Sequence, residues 1–244
     1  MIVPRPFLIA LQFLTVIPVH LTNQPTEREI GRSILYYPLI GLLIGFLITG
    51  VNSALTQIPD LLRAALILLL WITITGFLHL DGLADSADAW VGGRGNRDRT
   101  LAIMKDPQCG PAGVVMLIAI LLIKFSALAE FESTDHKIGL IFIPVMGRTV
   151  LLPLFLTTPY VRQKGLGTHL VTYVPHQAAL IVILFVVLSH ILILKTIAIT
   201  LIIAVVFIFV ILRQIMINRI GGTTGDTAGA LVELTEATIL ALLL

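Results

Sequence analysis

The stretch TLIIAVVFIFVIL, residues 200–212, decides what kind of protein this chain folds into. After its first threonine it contains only apolar residues, and it belongs to a longer apolar segment over 196–212. Such a segment can cross the hydrocarbon core of a membrane as a helix, because a helix satisfies its backbone hydrogen bonds internally. It carries no charged side chain, so we expect its surface to face lipid.

Comparable apolar segments recur along the whole chain of 244 residues. Charged residues make up 12% of it and hydrophobic residues 57%, whereas a soluble domain carries about 25% charged residues. This composition excludes a soluble monomer and a disordered chain. We predict an all-α polytopic membrane protein with about six to seven transmembrane helices, at 34–58, 61–80, 112–130, 138–157, 178–194, 196–212 and 228–244.

Residues 1–244 are predicted to form a single transmembrane helical domain in one bundle. Its first segment, 1–33, is expected to lie at the membrane interface as an interfacial or half-inserted helix. The ranges 79–113 and 219–236 hold the polar motifs described below.

Basic residues predict the orientation of the chain in the bilayer, since cytoplasmic loops carry an excess of Lys and Arg. One set of loops carries 11 of the 16 basic residues and the other set carries 3. The richer set, around 20–33, 91–111, 158–177 and 213–225, is expected to be cytoplasmic. We therefore expect a multi-pass protein of the cytoplasmic (inner) membrane with a polar site facing the cytoplasm. The net charge of +2 does not suggest binding to nucleic acid.

The first polar motif is HLDGLADSADAW, residues 79–90. Asp81, Asp85 and Asp88 stand at positions i, i+4 and i+7, so they share one face of a helix. Three carboxylates on one face repel one another, and Mg²⁺ is a cation that oxygen ligands hold well. A solvated helix end or a carboxylate–arginine network is the alternative. His79 lies on roughly the opposite face, where a structural hydrogen bond is expected; we also include it among the substrate-binding candidates.

The second motif is RIGGTTGDTAGALVELTEA, residues 219–237. Its glycine-rich start, with Gly222 and Thr224, resembles a turn before a helix, where backbone N–H groups can hold an anion. Asp226 and Glu233 again stand seven residues apart, on one helix face. For Asp226, an acid that caps the first turn is an equally good interpretation. Glu233 lies inside an apolar span and is predicted to contribute to a metal site.

Basic residues near these motifs are candidates for binding phosphate, although topology alone explains a basic cytoplasmic loop. Lys124 and Arg148 lie within apolar spans, so each needs a partner. They could pair with the acids, or Arg148 could reach a substrate phosphate, which we slightly favour. The candidates outside the spans are Arg94, Arg97, Arg99, Lys105, Lys164 and Arg219.

The residues by themselves thus predict a Mg²⁺-dependent enzyme that acts on a phosphate or diphosphate ester at the membrane surface. A CDP-alcohol phosphotransferase fits less well, because Asp81-Gly82-Leu83-Ala84 continues into Asp85 where that family has Ala-Arg. A membrane prenyltransferase would need different spacing of its acids. A cation transporter would carry acids near the middle of the bilayer, whereas these lie at one end. Cys109, the single cysteine, has no activating histidine nearby in sequence, so it is not expected to act as a nucleophile.

Nearly the whole chain resembles the cobalamin synthase family, the adenosylcobinamide-GDP ribazoletransferases. GFLHLDGLADSADA at 76–89 and GGTTGDTAGALVELTE at 221–236 resemble its two signatures. Further similar segments are QFLTVIP at 12–18, GRSILYYPLIGLLIG at 31–45, RDRTLAIMKD at 97–106 and QKGLG at 163–167. Two positions depart from the family pattern: Val16 replaces a common arginine, and Pro107-Gln108-Cys109 follows Asp106 where Ser-Arg is usual.

The resemblance implies that cobinamide phosphate is transferred from adenosylcobinamide-GDP to α-ribazole or its 5′-phosphate, which releases GMP. The cofactor that the resemblance implies is Mg²⁺. The resemblance is also compatible with a homo-oligomer or with an association with other cobalamin-pathway enzymes. The catalytic residues it implies are Asp81, Asp85, Asp226 and Glu233, and the metal ligands are the same four with Asp88. The substrate-binding residues are His79, Arg97, Arg99, Lys105, Asp106, Arg148, Arg219, Gly222 and Thr224.

Overall fold

The computed structural model describes residues 3–131, 138–162 and 165–244, and this part of the chain is helical with no strand. The all-α prediction is therefore confirmed. Lys164, one of the basic residues considered above, lies outside the described residues. The helices are α1 (Arg5–Leu14), α2 (Glu27–Ser33), α3 (Tyr37–Ala54), α4 (Asp60–Ile74), α5 (Leu78–Gly93), α6 (Arg97–Ile103), α7 (Pro111–Glu130), α8 (Gly139–Thr149), α9 (Leu151–Thr157), α10 (Leu166–Tyr173), α11 (His176–Leu194), α12 (Thr196–Ile220) and α13 (Gly225–Leu242).

Several of these helices are long and apolar enough to cross a membrane, which confirms a polytopic membrane protein. In the described part there are five such segments, or six if the bent pair α4–α5 counts as one span. The prediction of about six to seven thus agrees at its lower end. The five are Glu27–Ala54, Pro111–Glu130, Gly139–Thr157, His176–Leu194 and Thr196–Ile220.

The predicted continuous span over 61–80 is wrong, because the chain bends by 87° between α4 and α5. Gly76 and Phe77 both adopt left-handed backbone conformations, with φ of 60° and 59°. A residue in this conformation ends a helix, and for phenylalanine it is a rare and strained one. The bend starts a new helix at Leu78, so the motif at 79–90 forms a helix of its own.

Helix α13, the seventh predicted span, lies mostly buried within the protein, where it packs against α5, α7, α8 and α12. It comes especially close to α5. A Cβ atom added to Gly82 would lie 2.6 Å from the Asp226 carbonyl oxygen, and one added to Gly229 would lie 3.2 Å from the His79 Cα atom. Small residues permit this approach of two backbones, and it brings the two polar motifs together.

Helix α1 has 10 residues, so it is about 15 Å long and too short to cross a hydrocarbon core of about 30 Å by itself. It packs against α2 and α3. The largest apolar core lies next to these helices and includes Ile40, Trp71 and Ile143.

Candidate active site

The segments predicted to be cytoplasmic meet at one end of the bundle. The Arg97 Nε atom donates to the Ile220 carbonyl oxygen at 2.9 Å, which joins α6 to the end of α12. Arg219 donates to the Trp90 carbonyl oxygen at 2.5 Å, and Arg162 donates to that of Met104 at 3.4 Å. Residues near 90–105, 162 and 219 therefore lie on the same side, as the charge pattern requires.

Carboxylates from both motifs gather at this end. Asp81 on α5 and Asp226 in the first turn of α13 line one cavity of about 290 Å³. Asp85, one turn further along α5, lies close enough to interact electrostatically with both. The structure thus brings three of the predicted catalytic residues together, because the Gly82 contact sets the first turn of α13 beside α5.

Arg162 is a cation that faces these acids, whereas the charge pattern of the sequence indicates only that it belongs to the basic loop around 158–177. Its Nη2 atom donates to Asp226 Oδ2 at 2.5 Å, and its side chain lines the same cavity. Burial raises the pKa of the Asp226 carboxyl and nearby Asp81 adds to this, while Arg162 and Thr224 oppose it. The position of Arg162 directly before the family-like segment QKGLG could have indicated a role.

Asp88 supports the start of α7. Its carboxylate accepts hydrogen bonds from the backbone N–H groups of Gly110 at 2.7 Å and Gly113 at 2.9 Å. Together with Asp106 and Cys109 it lines a second cavity of about 280 Å³. Desolvation and the neighbouring carboxylates, Asp88 first among them, raise the pKa of the Cys109 thiol. This agrees with a cysteine that is not a nucleophile.

Some N–H groups of the glycine-rich turn before α13 are used within the protein and so are not available to an anion. That of Thr223 donates to the Pro159 carbonyl oxygen at 2.8 Å. That of Thr224 donates to Thr227 Oγ1 at 2.9 Å, and the Thr224 hydroxyl accepts from the Thr227 N–H group. Gly222 and Thr224 are buried, so they shape the turn that presents Asp226.

Among the residues that the structure describes, the other basic candidates do not line the cavity that holds Asp81 and Asp226, namely Arg94, Arg97, Arg99, Lys105 and Arg219. The side chains of Arg97 and Arg219 hold carbonyl groups at the ends of α12 and α5, as described above. Arg99 and Lys105 are exposed on α6 and just after it. Their charges face the solvent at the same end of the bundle, where they favour an approaching anion through long-range attraction.

Glu233 and Arg148, predicted to bind metal and phosphate, lie elsewhere. Lys124 Nζ on α7 contacts Glu233 Oε2 at 2.6 Å and Glu236 Oε2 at 2.8 Å, and Arg148 on α8 pairs with Glu236. Each of these four side chains is at most 5% exposed. We call Lys124, Arg148, Glu233 and Glu236 the buried ion cluster. Its two cations neutralise its two acids, so the acids need no metal.

His79 connects the buried ion cluster to the cavity. Its Nδ1 atom lies 3.5 Å from Arg148 Nη2, and its side chain is among those that line the cavity. The expected structural hydrogen-bonding role agrees with this position. Arg148 itself is fully buried and does not line the cavity.

A preformed metal cage is not present in the described part of the chain, where no group of three or more His, Cys, Asp or Glu side chains is arranged to hold an ion. The chemistry of the carboxylates around the cavity nevertheless suits Mg²⁺. This ion is commonly held by one or two carboxylates together with water and substrate phosphates, and not by a cage of protein ligands. Asp81 and Asp226, which line one cavity, provide such a pair.

Comparison with known proteins gives a consistent result. The family model described as Cobalamin-5-phosphate synthase matches residues 6–244. Relatives named adenosylcobinamide-GDP ribazoletransferase include one from Stutzerimonas stutzeri, 51% identical over 96% of both chains. Another, from Pseudomonas fluorescens, is 48% identical over 96% of this chain and 97% of its own. One from Acinetobacter baumannii is 50% identical over 96% and 95%. No solved structure matches the chain.

Proposed function

The chain belongs to the cobalamin-5-phosphate synthase family, and from this premise we propose that it is an adenosylcobinamide-GDP ribazoletransferase. It joins adenosylcobinamide-GDP to α-ribazole or its 5′-phosphate, with adenosylcobalamin or its 5′-phosphate and GMP as products. The observation that carries the proposal is the cavity in which Asp81, Asp226 and Arg162 converge from three segments of the chain. Both family signatures supply an acid to it.

The reaction replaces the phosphoanhydride bond of the diphosphate by a phosphate ester bond to ribose, so it needs positioning and charge stabilisation above all. A ribose hydroxyl oxygen of α-ribazole attacks the phosphorus that bears cobinamide. The bond from that phosphorus to the GMP oxygen breaks, GMP leaves with the electron pair, and the hydroxyl proton is released. Arg162 is suited to hold an oxygen of the diphosphate, because guanidinium groups form paired hydrogen bonds with phosphate.

We propose that Asp81 and Asp226, with Asp85 beside them, hold Mg²⁺ once the diphosphate has bound. The ion would offset the charge of the diphosphate and of the leaving GMP. Asp226 is held in place for this by Arg162 at 2.5 Å and by the turn at 221–225. Asp88, on α5, supports the site indirectly. Its carboxylate accepts hydrogen bonds from the Gly110 and Gly113 N–H groups and so orders the loop before α7.

We also propose that the protein lies in the cytoplasmic (inner) membrane with this cavity open to the cytoplasm. Support comes from the basic residues, 11 of which fall in the loops at the end that carries the carboxylates, against 3 in the opposite loops. Water-soluble substrates such as a nucleotide-activated corrinoid would reach the site from that side without crossing the bilayer.

The test uses the purified protein in nanodiscs with adenosylcobinamide-GDP, α-ribazole and Mg²⁺, and measures GMP and the corrinoid product together. We expect equal amounts of both. Asp81→Asn and Asp226→Asn should each lower kcat by about a hundredfold or more, since each removes a carboxylate proposed to hold Mg²⁺ against the diphosphate and the leaving GMP. Asp98→Asn is the matched control, because that carboxylate is 91% exposed on α6. Absence of both products from the wild-type protein would refute the proposed function.

The metal assignment has a test of its own. Activity lost on removal of divalent cations should return with Mg²⁺, and the concentration needed should rise in Asp81→Asn while it stays constant in Asp98→Asn. Full activity without any divalent cation would exclude the role proposed for Mg²⁺ and leave the transferase assignment intact.

A further inference from the structure

The cavity that holds Asp81 and Asp226 has two distinct zones. One zone is buried and mostly apolar, with Leu14, Tyr37, Leu151, Phe155 and Leu170 in its wall, and His79 is the buried polar side chain beside them. The other is the accessible mouth, where Asp81 is exposed and Asp226 and Arg162 keep 16% and 28% of their side chains exposed. An occupant must therefore place an apolar group inside and polar groups at the mouth.

Aromatic side chains give the buried zone flat walls. Phe13 from α1 stacks on Tyr37, with ring centroids 6.2 Å apart, and Phe155 packs against Tyr160 at 6.3 Å. All four rings line the cavity. Such walls favour a planar aromatic group, which gains both burial and ring contacts.

We propose, on the basis of the function proposed above, that this buried zone is the binding site for the dimethylbenzimidazole base of α-ribazole. The reaction involves three large groups, and their chemistry separates them. A corrinoid is several times larger than a cavity of about 290 Å³ and is rimmed with amides. Guanine presents donors and acceptors on its edges, which are costly to bury among apolar side chains. The base of α-ribazole is planar, carries two methyl groups and is mostly apolar.

Placing the base in the buried zone also determines where the other parts of the two substrates lie. With the base inside, the ribose lies at the mouth, so its hydroxyl groups face Asp81, Asp226 and Arg162. The diphosphate then approaches from outside, and the corrinoid and guanosine remain over the accessible end of the bundle. The nucleophile is thereby held in a fixed orientation toward the bond that it attacks.

The experiment separates the Michaelis constants of the two substrates. Phe155→Leu removes one aromatic wall and should raise KM for α-ribazole about three- to tenfold, with KM for adenosylcobinamide-GDP unchanged. Leu151→Trp fills the zone and should raise it further. Phe207→Leu is the matched control, because Phe207 is 65% exposed on the outer surface of α12. A rise confined to KM for adenosylcobinamide-GDP would overturn the proposal.

A second measurement does not depend on turnover. Equilibrium dialysis of α-ribazole against the wild-type protein, without the second substrate, should show binding that Leu151→Trp weakens and Phe207→Leu does not. The riboside of unsubstituted benzimidazole should bind about tenfold more weakly, since two buried methyl groups are lost. Absence of α-ribazole binding, or equal binding of both ribosides, would refute the site. Failure of the transferase function shows separately, as absence of GMP from the complete wild-type reaction.

Discussion

Replacing Lys124 by methionine will test what the buried ion cluster contributes to the protein. Its ammonium group contacts two carboxylates, at 2.6 and 2.8 Å, and also lies 4.7 Å from the centre of the Trp71 ring. The side chain is 1% exposed, so water cannot replace these contacts. After the substitution, Arg148 alone faces Glu233 and Glu236, and the cluster carries one uncompensated negative charge.

The cost of such a change is large. Removing one partner of a buried ion pair destabilises a protein by about 3–5 kcal/mol, and methionine keeps most of the apolar volume of lysine, so the loss of packing adds little. Native domains are stable by about 5–15 kcal/mol. We therefore expect Lys124→Met to lose a large part of the free energy of unfolding and to accumulate poorly in membranes.

The assay is equilibrium unfolding of the purified protein in mixed micelles, followed by circular dichroism. Lys124→Met combined with Glu233→Gln removes one charge of each sign, so more than half of the lost stability should return. Lys105→Met, at an exposed position, should remain within about 0.5 kcal/mol of the wild type. A loss below about 1 kcal/mol in the single variant, or a double variant no more stable than the single one, would refute the reasoning.

Two further changes test the surroundings of the carboxylates, the first their packing and the second their electrostatic effect. Gly82→Ala places a Cβ atom 2.6 Å from a backbone oxygen of α13, so we expect a stability loss of about 1–3 kcal/mol and a tenfold to hundredfold fall in GMP release, of the order that a misplaced group causes. Gly50→Ala, which would meet nothing within 4 Å, should change neither, and equal effects of the two would count against close α5–α13 contact. The pKa of the Cys109 thiol is raised mainly by desolvation and next by the charge of Asp88. Asp88→Asn removes that charge, so the pKa of Cys109 should fall and its thiol should react faster with iodoacetamide at neutral pH. Saturating Mg²⁺ should act in the same direction in the wild type, and an unchanged rate in both cases would contradict the electrostatic coupling.

The sequence predicted the membrane-protein class, the helix that carries the acids and the side of the bundle on which they lie. These features depend on composition and helical period, which are local properties of the chain. It also placed Asp81, Asp85 and Asp226 in one site, since each acid in an apolar chain requires a reason. The bend at Gly76 and Phe77 was missed, because the residues on both sides read as one apolar segment.

The role of Arg162 could not be assigned from composition, since a basic cytoplasmic loop is expected in any such protein. Its contact with Asp226 joins two segments 64 residues apart in the chain. A contact of this kind depends on tertiary packing, and the local pattern of the sequence contains no measure of it.

Glu233 shows how helical position and depth must be considered together. Asp226 and Glu233 share one face of α13, as their spacing predicted, but seven residues separate them by about 10 Å along the helix axis. Asp226 therefore reaches the cavity mouth while Glu233 lies about two turns deeper, where it meets Lys124 at 2.6 Å. With Glu236 and Arg148, this contact ties α13 to α7 and α8. The same helix thus anchors its buried half by ion pairs and holds its first turn, with Asp226, against α5, so the orientation of the Asp226 carboxylate depends on ion pairs about two turns deeper in the bundle.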